Sequence, residues 1–146
     1  MSFRVIRHAQ ASWQGTVPAG GGRLALGSGA YEGPFSLRAR TEDVERATNP
    51  EELIGAAIAG CFTMSLANLL SEAGHPPADL QTTADVRLEQ LDGRFTITCI
   101  ELSTVGEVPG VDRERFDSLA REAKETCTVS RALAATQIKI TSSLIE

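Results

Sequence analysis

The chain has 146 residues, 42% of them hydrophobic and 23% charged, with a formal net charge of −5. That is the make-up of an ordinary globular domain, which excludes disordered, collagen-like and fibrous classes and predicts a single domain, 1–146, folding without disulfide or metal staples. The negative balance is wrong for a phosphate-backbone binder and 5% aromatics is too few for a base-stacking platform, so nucleic acid is not an expected partner. No apolar run is read as reaching the roughly 18 residues of a membrane span, and Met1–His8 lacks a signal-peptide apolar region. The expectation is therefore a cytoplasmic protein with no membrane partner.

In chain order, a strand is predicted from about Phe3 to Trp13, followed by a flexible connection at Pro18–Gly22. Leu24-Ala25-Leu26 opens a second strand. Phe35–Arg40 alternates with period 2, which predicts a third strand with Phe35, Leu37 and Ala39 on one face and Ser36, Arg38 and Arg40 on the other. After an acidic loop, Glu42 to Glu45, comes the clearest helix start in the chain. Asn49 suits the N-cap, Pro50 suits the first helical position, and Glu52 falls where a capping-box carboxylate belongs. The helix runs from Pro50 to about Glu72 and stops at Gly74, with Pro76 and Pro77 beyond. Its many Gly and Ala residues permit close approach of another helix, and apolar character on most sides predicts a central, buried position.

Leu80–Gln90 alternates as a strand, Leu91–Arg94 is a turn, and Phe95–Val105 is its hairpin partner. Pro109-Gly110 marks another turn. Arg113–Thr126 reads as an amphipathic helix with Phe116, Leu119, Ala120 and Ala123 on one face. A short helical turn over Ser130–Ala135 and a strand over Thr136–Ile145 complete the chain. Strands arriving as hairpins predict an α+β fold with mainly antiparallel sheet.

Three cysteines, Cys61, Cys99 and Cys127, form no CxxC pair, and the chain has only two histidines, His8 and His75. Neither a metal nor a cofactor is expected, and an odd count argues against a disulfide framework. Period 2 puts Cys99 on the face of Phe95 and Ile97 as a small buried hydrophobe. Cys61, mid-helix, is either a core residue or a nucleophile. As a thiolate in apolar surroundings it needs a cation nearby, and Arg38 and Arg40 are the candidates. Cys127 continues the stripe of Phe116, Leu119, Ala120 and Ala123 and points inward; spacing leaves open whether it meets Cys61. Glu51 is either a favourable charge at the helix start or a functional carboxylate. Ten residues of helix place it about 15 Å from Cys61, so cooperation between them requires a second chain or a bridging arginine.

The segment Asn49-Pro50-Glu51-Glu52-Leu53-Ile54-Gly55-Ala56-Ala57-Ile58-Ala59-Gly60-Cys61-Phe62 resembles the defining segment of the OsmC/Ohr family, the osmotically inducible protein C and organic hydroperoxide resistance proteins. Trp13-Gln14-Gly15, Thr82-Thr83-Ala84-Asp85-Val86, Val108-Pro109-Gly110-Val111-Asp112 and Cys127-Thr128-Val129-Ser130 extend the likeness along nearly the whole chain and favour the OsmC branch. The resemblance implies antiparallel sheets wrapped around two central helices, in an intertwined homodimer with active sites shared between subunits. It implies a peroxiredoxin-like, thiol-dependent peroxidase of oxidative and osmotic stress defence, reducing organic hydroperoxides and, more weakly, hydrogen peroxide. By position, Cys61 matches the peroxidatic cysteine, Cys127 the resolving one, Glu51 the family glutamate and Arg40 the arginine, with Arg38 as second candidate.

On that resemblance, Arg40 would hold Cys61 as thiolate, Glu51 would grip the guanidinium by a two-pronged salt bridge, and an external dithiol, lipoyl-type in some members, would restore a Cys61–Cys127 disulfide. Phe62, Met64 and strand residues are the expected apolar pocket. Thr128 stands where the family often has proline, which predicts a less restrained Cys127. The alternatives are a non-catalytic stress or ligand-binding protein on the same fold and, more remotely, a redox sensor.

Overall fold

The computed structural model describes residues 2–146. The chain divides into two compact units, the first ending at Leu53 and the second running Ile54–Glu146.

In the first unit, β1 (Ala9–Gln14), β2 (Gly21–Leu26) and β3 (Glu32–Phe35) form an antiparallel sheet in the order β1-β2-β3. The strand expected from Phe3 begins only at Ala9. Gly22 is the tight point of the sheet: a Cβ there would lie 2.1 Å from the Ser12 carbonyl and 2.6 Å from the Phe35 ring. Its absence lets Trp13 and Phe35 pack with ring centroids 5.4 Å apart.

The alternation that predicts a strand over Phe35–Arg40 ends in the structure at Phe35. Ser36 turns the chain instead: its Oγ accepts the Ala39 N–H at 3.0 Å and starts a short helix, α1 (Leu37–Thr41). Four residues of alternating polarity fit one helical turn as well as a strand, and the serine cap decides between them. Arg38 and Arg40 would share a face of a strand, but on a helix they lie about 200° apart.

The long helix, α2 (Pro50–Glu72), has the predicted bounds. Asn49 Oδ1 accepts the Glu52 N–H at 2.8 Å, so the predicted cap is present. The reciprocal half of the capping box differs, because the Glu52 carboxylate takes the Thr48 hydroxyl at 2.9 Å. Gly74, at φ +87°, ends the helix as expected. The expected burial on most sides is reduced to one stripe. Ile58, Phe62, Leu66 and Leu70 have 0% exposure, whereas Met64 is 76% exposed. The sequence reading also missed that α2 is, by length and composition, apolar enough to cross a membrane. Glycine, alanine and hydroxyl side chains break up the apolar run without adding charge. The same stripe supplies core side chains of the second unit, which is the behaviour of a core helix.

In the second unit, β4 (Asp79–Leu91) and β5 (Arg94–Glu107) form the predicted hairpin. Its turn is Asp92-Gly93, both at positive φ, +51° and +76°, the backbone of a type I′ turn. The amphipathic helix, α3 (Arg113–Thr126), is capped by Asp112 and buries Phe116, Leu119, Ala120 and Ala123, as read from the sequence. A short α4 (Thr128–Ala132) follows, starting two residues earlier than predicted, and then β6 (Gln137–Leu144).

β6 pairs with β5 in parallel, giving the order β4-β5-β6. The sheets are mainly antiparallel, as expected; this parallel pairing is a βαβ link that the hairpin reading did not include, in which the helices carry the chain back to start β6 at the same end as β5. The core joins the α2 stripe to Ile100, Leu102 and Val108 and to the buried face of α3. Thr104, 1% exposed, is satisfied by a hydroxyl chain: Thr63 donates to Thr82 at 2.8 Å, and Thr82 and Thr104 lie 3.0 Å apart.

Candidate active site

In the first unit, α1 and the start of α2 bring Arg40 to Glu51. The guanidinium Nε and Nη2 both lie 2.6 Å from Glu51 Oε1. The predicted two-pronged bridge is therefore one oxygen taking two nitrogens. Glu51 is 6% exposed, and its Oε2 is buried with no hydrogen-bond partner among the described residues. Arg38 goes elsewhere. Its Nε donates to Glu42 Oε2 at 2.9 Å, one turn along α1, and both side chains are exposed. That carboxylate raises the Arg38 pKa above its ordinary value, by hydrogen bond first and charge second. The helical turn has separated two arginines that a strand would have left equivalent.

Asn49 holds the two helices together and was read only as a cap. While Oδ1 caps α2, Nδ2 donates to the Ala39 carbonyl of α1 at 2.9 Å. Asn49→Ala should destabilise the protein by about 2 kcal/mol, one for the cap and one for the clamp. Asn49→Asp keeps the cap, removes the donor, and should cost about half as much in urea unfolding.

A cavity of about 230 Å³ opens beside Arg40, lined by Trp13, Val17, Phe35, Leu37 and Pro50. Phe62 and Met64 do not line it. Phe62 is wholly inside the core, and Met64, two helical positions on, faces away from it in the open.

In the second unit the thiols are distributed unequally. All three are free. Cys127 is 1% exposed and belongs to the core cluster, and the half-buried Cys61 packs against that cluster. Cys99 is also 1% exposed but lies outside it. The predicted face of Cys99 is corrected by a β-bulge. Arg87 pairs with Cys99 and Leu88 with Ile97, so Thr98 is an extra residue and Cys99 no longer alternates in step with Phe95 and Ile97.

Cys127 closes α3 with its N–H on the Ala123 carbonyl at 3.0 Å and caps α4 with its Sγ. Those caps restrain it without the missing proline, and Thr128 fills the first position of α4. Among the described residues no three or more His, Cys, Asp or Glu side chains gather as a metal would require.

The model of the family of OsmC-like proteins matches residues 41–143, spanning both units. Peroxiredoxin OsmC of Escherichia coli strain K12 is 44% identical over 132 residues, covering 90% of this chain and 92% of that protein. The chain belongs to the OsmC-like family. The match to the family model includes Glu51, Cys61 and Cys127 and begins one residue after Arg40. The organic hydroperoxide resistance protein OhrA of Bacillus subtilis strain 168 is 30% identical over 95 residues, 64% of each chain. The solved structure of an organic hydroperoxide resistance protein from Elizabethkingia anophelis shares the fold at TM-score 0.79 and 24% identity, covering 99% of this chain and 100% of that one.

Proposed function

We propose that this OsmC-like protein reduces organic hydroperoxides, and hydrogen peroxide more weakly, through a Cys61 sulfenic acid and a Cys61–Cys127 disulfide. The chain is a peroxidase, with relatives named peroxiredoxin and organic hydroperoxide resistance protein. The observation that carries the reading is the sorting of the thiols: Cys61 packs against the cluster containing Cys127, and Cys99 lies outside it.

In the first step the Cys61 thiolate attacks the terminal oxygen of the hydroperoxide. The O–O bond breaks, an S–O bond forms, and the alkoxide leaves as alcohol after taking a proton. The sulfur is then a sulfenic acid, oxidised by two electrons. Arg40, anchored by Glu51, supplies the positive charge that favours the thiolate and orients the peroxide. The apolar cavity at Arg40 suits an alkyl group, which supports a preference for organic peroxides. Cys127 then displaces hydroxide from the sulfenic sulfur, which leaves as water. An external dithiol, of lipoyl type in this reading, reduces the disulfide by exchange.

The working unit is a homodimer with sites drawn from both copies, within a peroxide-related stress function. Two observations support the dimer. Glu51 and Cys61 are about 15 Å apart along one helix. The other side of α2 is apolar yet uncovered, with Met64 76% exposed and, among the described residues beyond the helix's own backbone, nothing within 4 Å of where a Gly60 Cβ would stand.

Mapping disulfides by mass spectrometry after one equivalent of cumene hydroperoxide tests the reading. A Cys61–Cys127 bond is expected. A bond containing Cys99, or three thiols left unreacted, would overturn it.

A further inference from the structure

We propose that Ser130 is a catalytic residue of the resolving step, acting on the sulfur of Cys127; the proposal rests on the peroxidase reading above. A resolving cysteine must meet the sulfenic acid as a thiolate. Cys127 is 1% exposed, so water cannot supply the hydrogen bonds that a bare sulfur anion needs. Ser130 offers both donors. Its N–H lies 3.3 Å from Cys127 Sγ and its Oγ lies 2.9 Å from the same atom. The serine is itself 5% exposed.

The two contacts differ in kind. The N–H bond is the cap of α4 and is indifferent to side-chain identity. The hydroxyl is not needed for that cap. A hydroxyl both donates and accepts, so it can take the S–H of the resting thiol and rotate to donate to the thiolate. An apolar residue at this position would leave the thiolate with the backbone donor alone.

The step balances without a further reactant. Cys127 Sγ forms the S–S bond as the Cys61 S–O bond breaks, and the departing hydroxide takes the proton that Cys127 gave up and leaves as water. Cys127 sulfur is oxidised by one electron and Cys61 sulfur is reduced by one. When an external dithiol later opens the disulfide with Cys127 as the leaving sulfur, the same hydroxyl receives the returning thiolate.

The test separates the two half-reactions in the full chain. Reduced protein is mixed with one equivalent of cumene hydroperoxide. Sulfenic acid is trapped with dimedone, and the Cys61–Cys127 disulfide is quantified over time. In Ser130→Ala, Cys61 should oxidise at the wild-type rate, which also reports an intact fold. Disulfide formation should slow about tenfold, as loss of a hydrogen bond to a charged group implies, and sulfenic acid should accumulate. Ser130→Thr, which restores the hydroxyl, should recover resolution to within about threefold.

Resolution at the wild-type rate in Ser130→Ala, or equal slowing in Ser130→Thr, overturns the proposal. The failure of the peroxidase reading looks different. There the wild-type protein itself forms no Cys61–Cys127 bond, and the role of Ser130 falls with it.

Discussion

Cys61→Ser should abolish hydroperoxide turnover, with an expected loss of at least about 10³-fold in kcat/KM, because removing a nucleophile leaves only binding and positioning. The half-buried position on α2 accepts serine with little strain, so the loss reports chemistry and not folding. Consumption of tert-butyl hydroperoxide in the presence of excess dithiol is the measurement, with circular dichroism as the control for fold. Turnover at the wild-type rate would refute the peroxidatic role. The companion Cys127→Ser should consume one equivalent of peroxide and then stall, with Cys61 held as sulfenic acid or oxidised further. Sustained multiple turnover by that variant would leave Cys127 without a resolving role.

The second large effect separates two neighbouring arginines. Arg40→Ala should cost about 10²-fold or more in kcat/KM, the scale of removing a preorganised electrostatic group. It should also lower stability by about 3 kcal/mol. Glu51 would be left as a buried carboxylate without its cation, and the figure sits at the low end for a broken buried pair because the Arg40 side chain is 32% exposed. Arg40→Lys should recover little, since one ammonium cannot reproduce two guanidinium contacts on one oxygen. Arg38→Ala should leave both activity and unfolding midpoint unchanged, since its pair with Glu42 stands in water. Steady-state kinetics and urea unfolding on the three variants are the check, and equal losses in Arg38→Ala and Arg40→Ala would break the assignment.

The arginine pair shows how a local misreading blurs a site. Read as a strand, Phe35–Arg40 puts both guanidiniums on one face and gives no reason to choose. The Ser36 cap was visible as a serine three residues before Ala39, but five residues are too short for helical periodicity to outweigh period 2. Asn49 was legible in half its role, because a cap is a contact within four residues and the clamp to Ala39 spans ten. Ser130 is legible only as part of the Cys127–Ser130 likeness and of a helical turn, because its partner is a sulfur, a contact that composition does not advertise. Cys99 was read on the wrong face because a bulge is set by the pairing of two strands, not by either strand alone.

The sequence by itself determined the α+β class, the bounds of α2 and α3, the Asp92-Gly93 hairpin and the inward direction of Cys127. Each follows from caps, turn geometry or periodicity, interactions that close within one or two turns of chain. The family resemblance likewise rested on short local segments, spread from Trp13-Gln14-Gly15 to Cys127-Thr128-Val129-Ser130. Only the tertiary structure decided that Arg40 and not Arg38 meets Glu51, that β6 joins β5 in parallel, and that Cys61 packs against the core cluster that holds Cys127 and leaves out Cys99. Those outcomes depend on which distant surfaces bury one another. Hydrophobic burial is non-directional, so periodicity says that a side chain turns inward without saying what it meets.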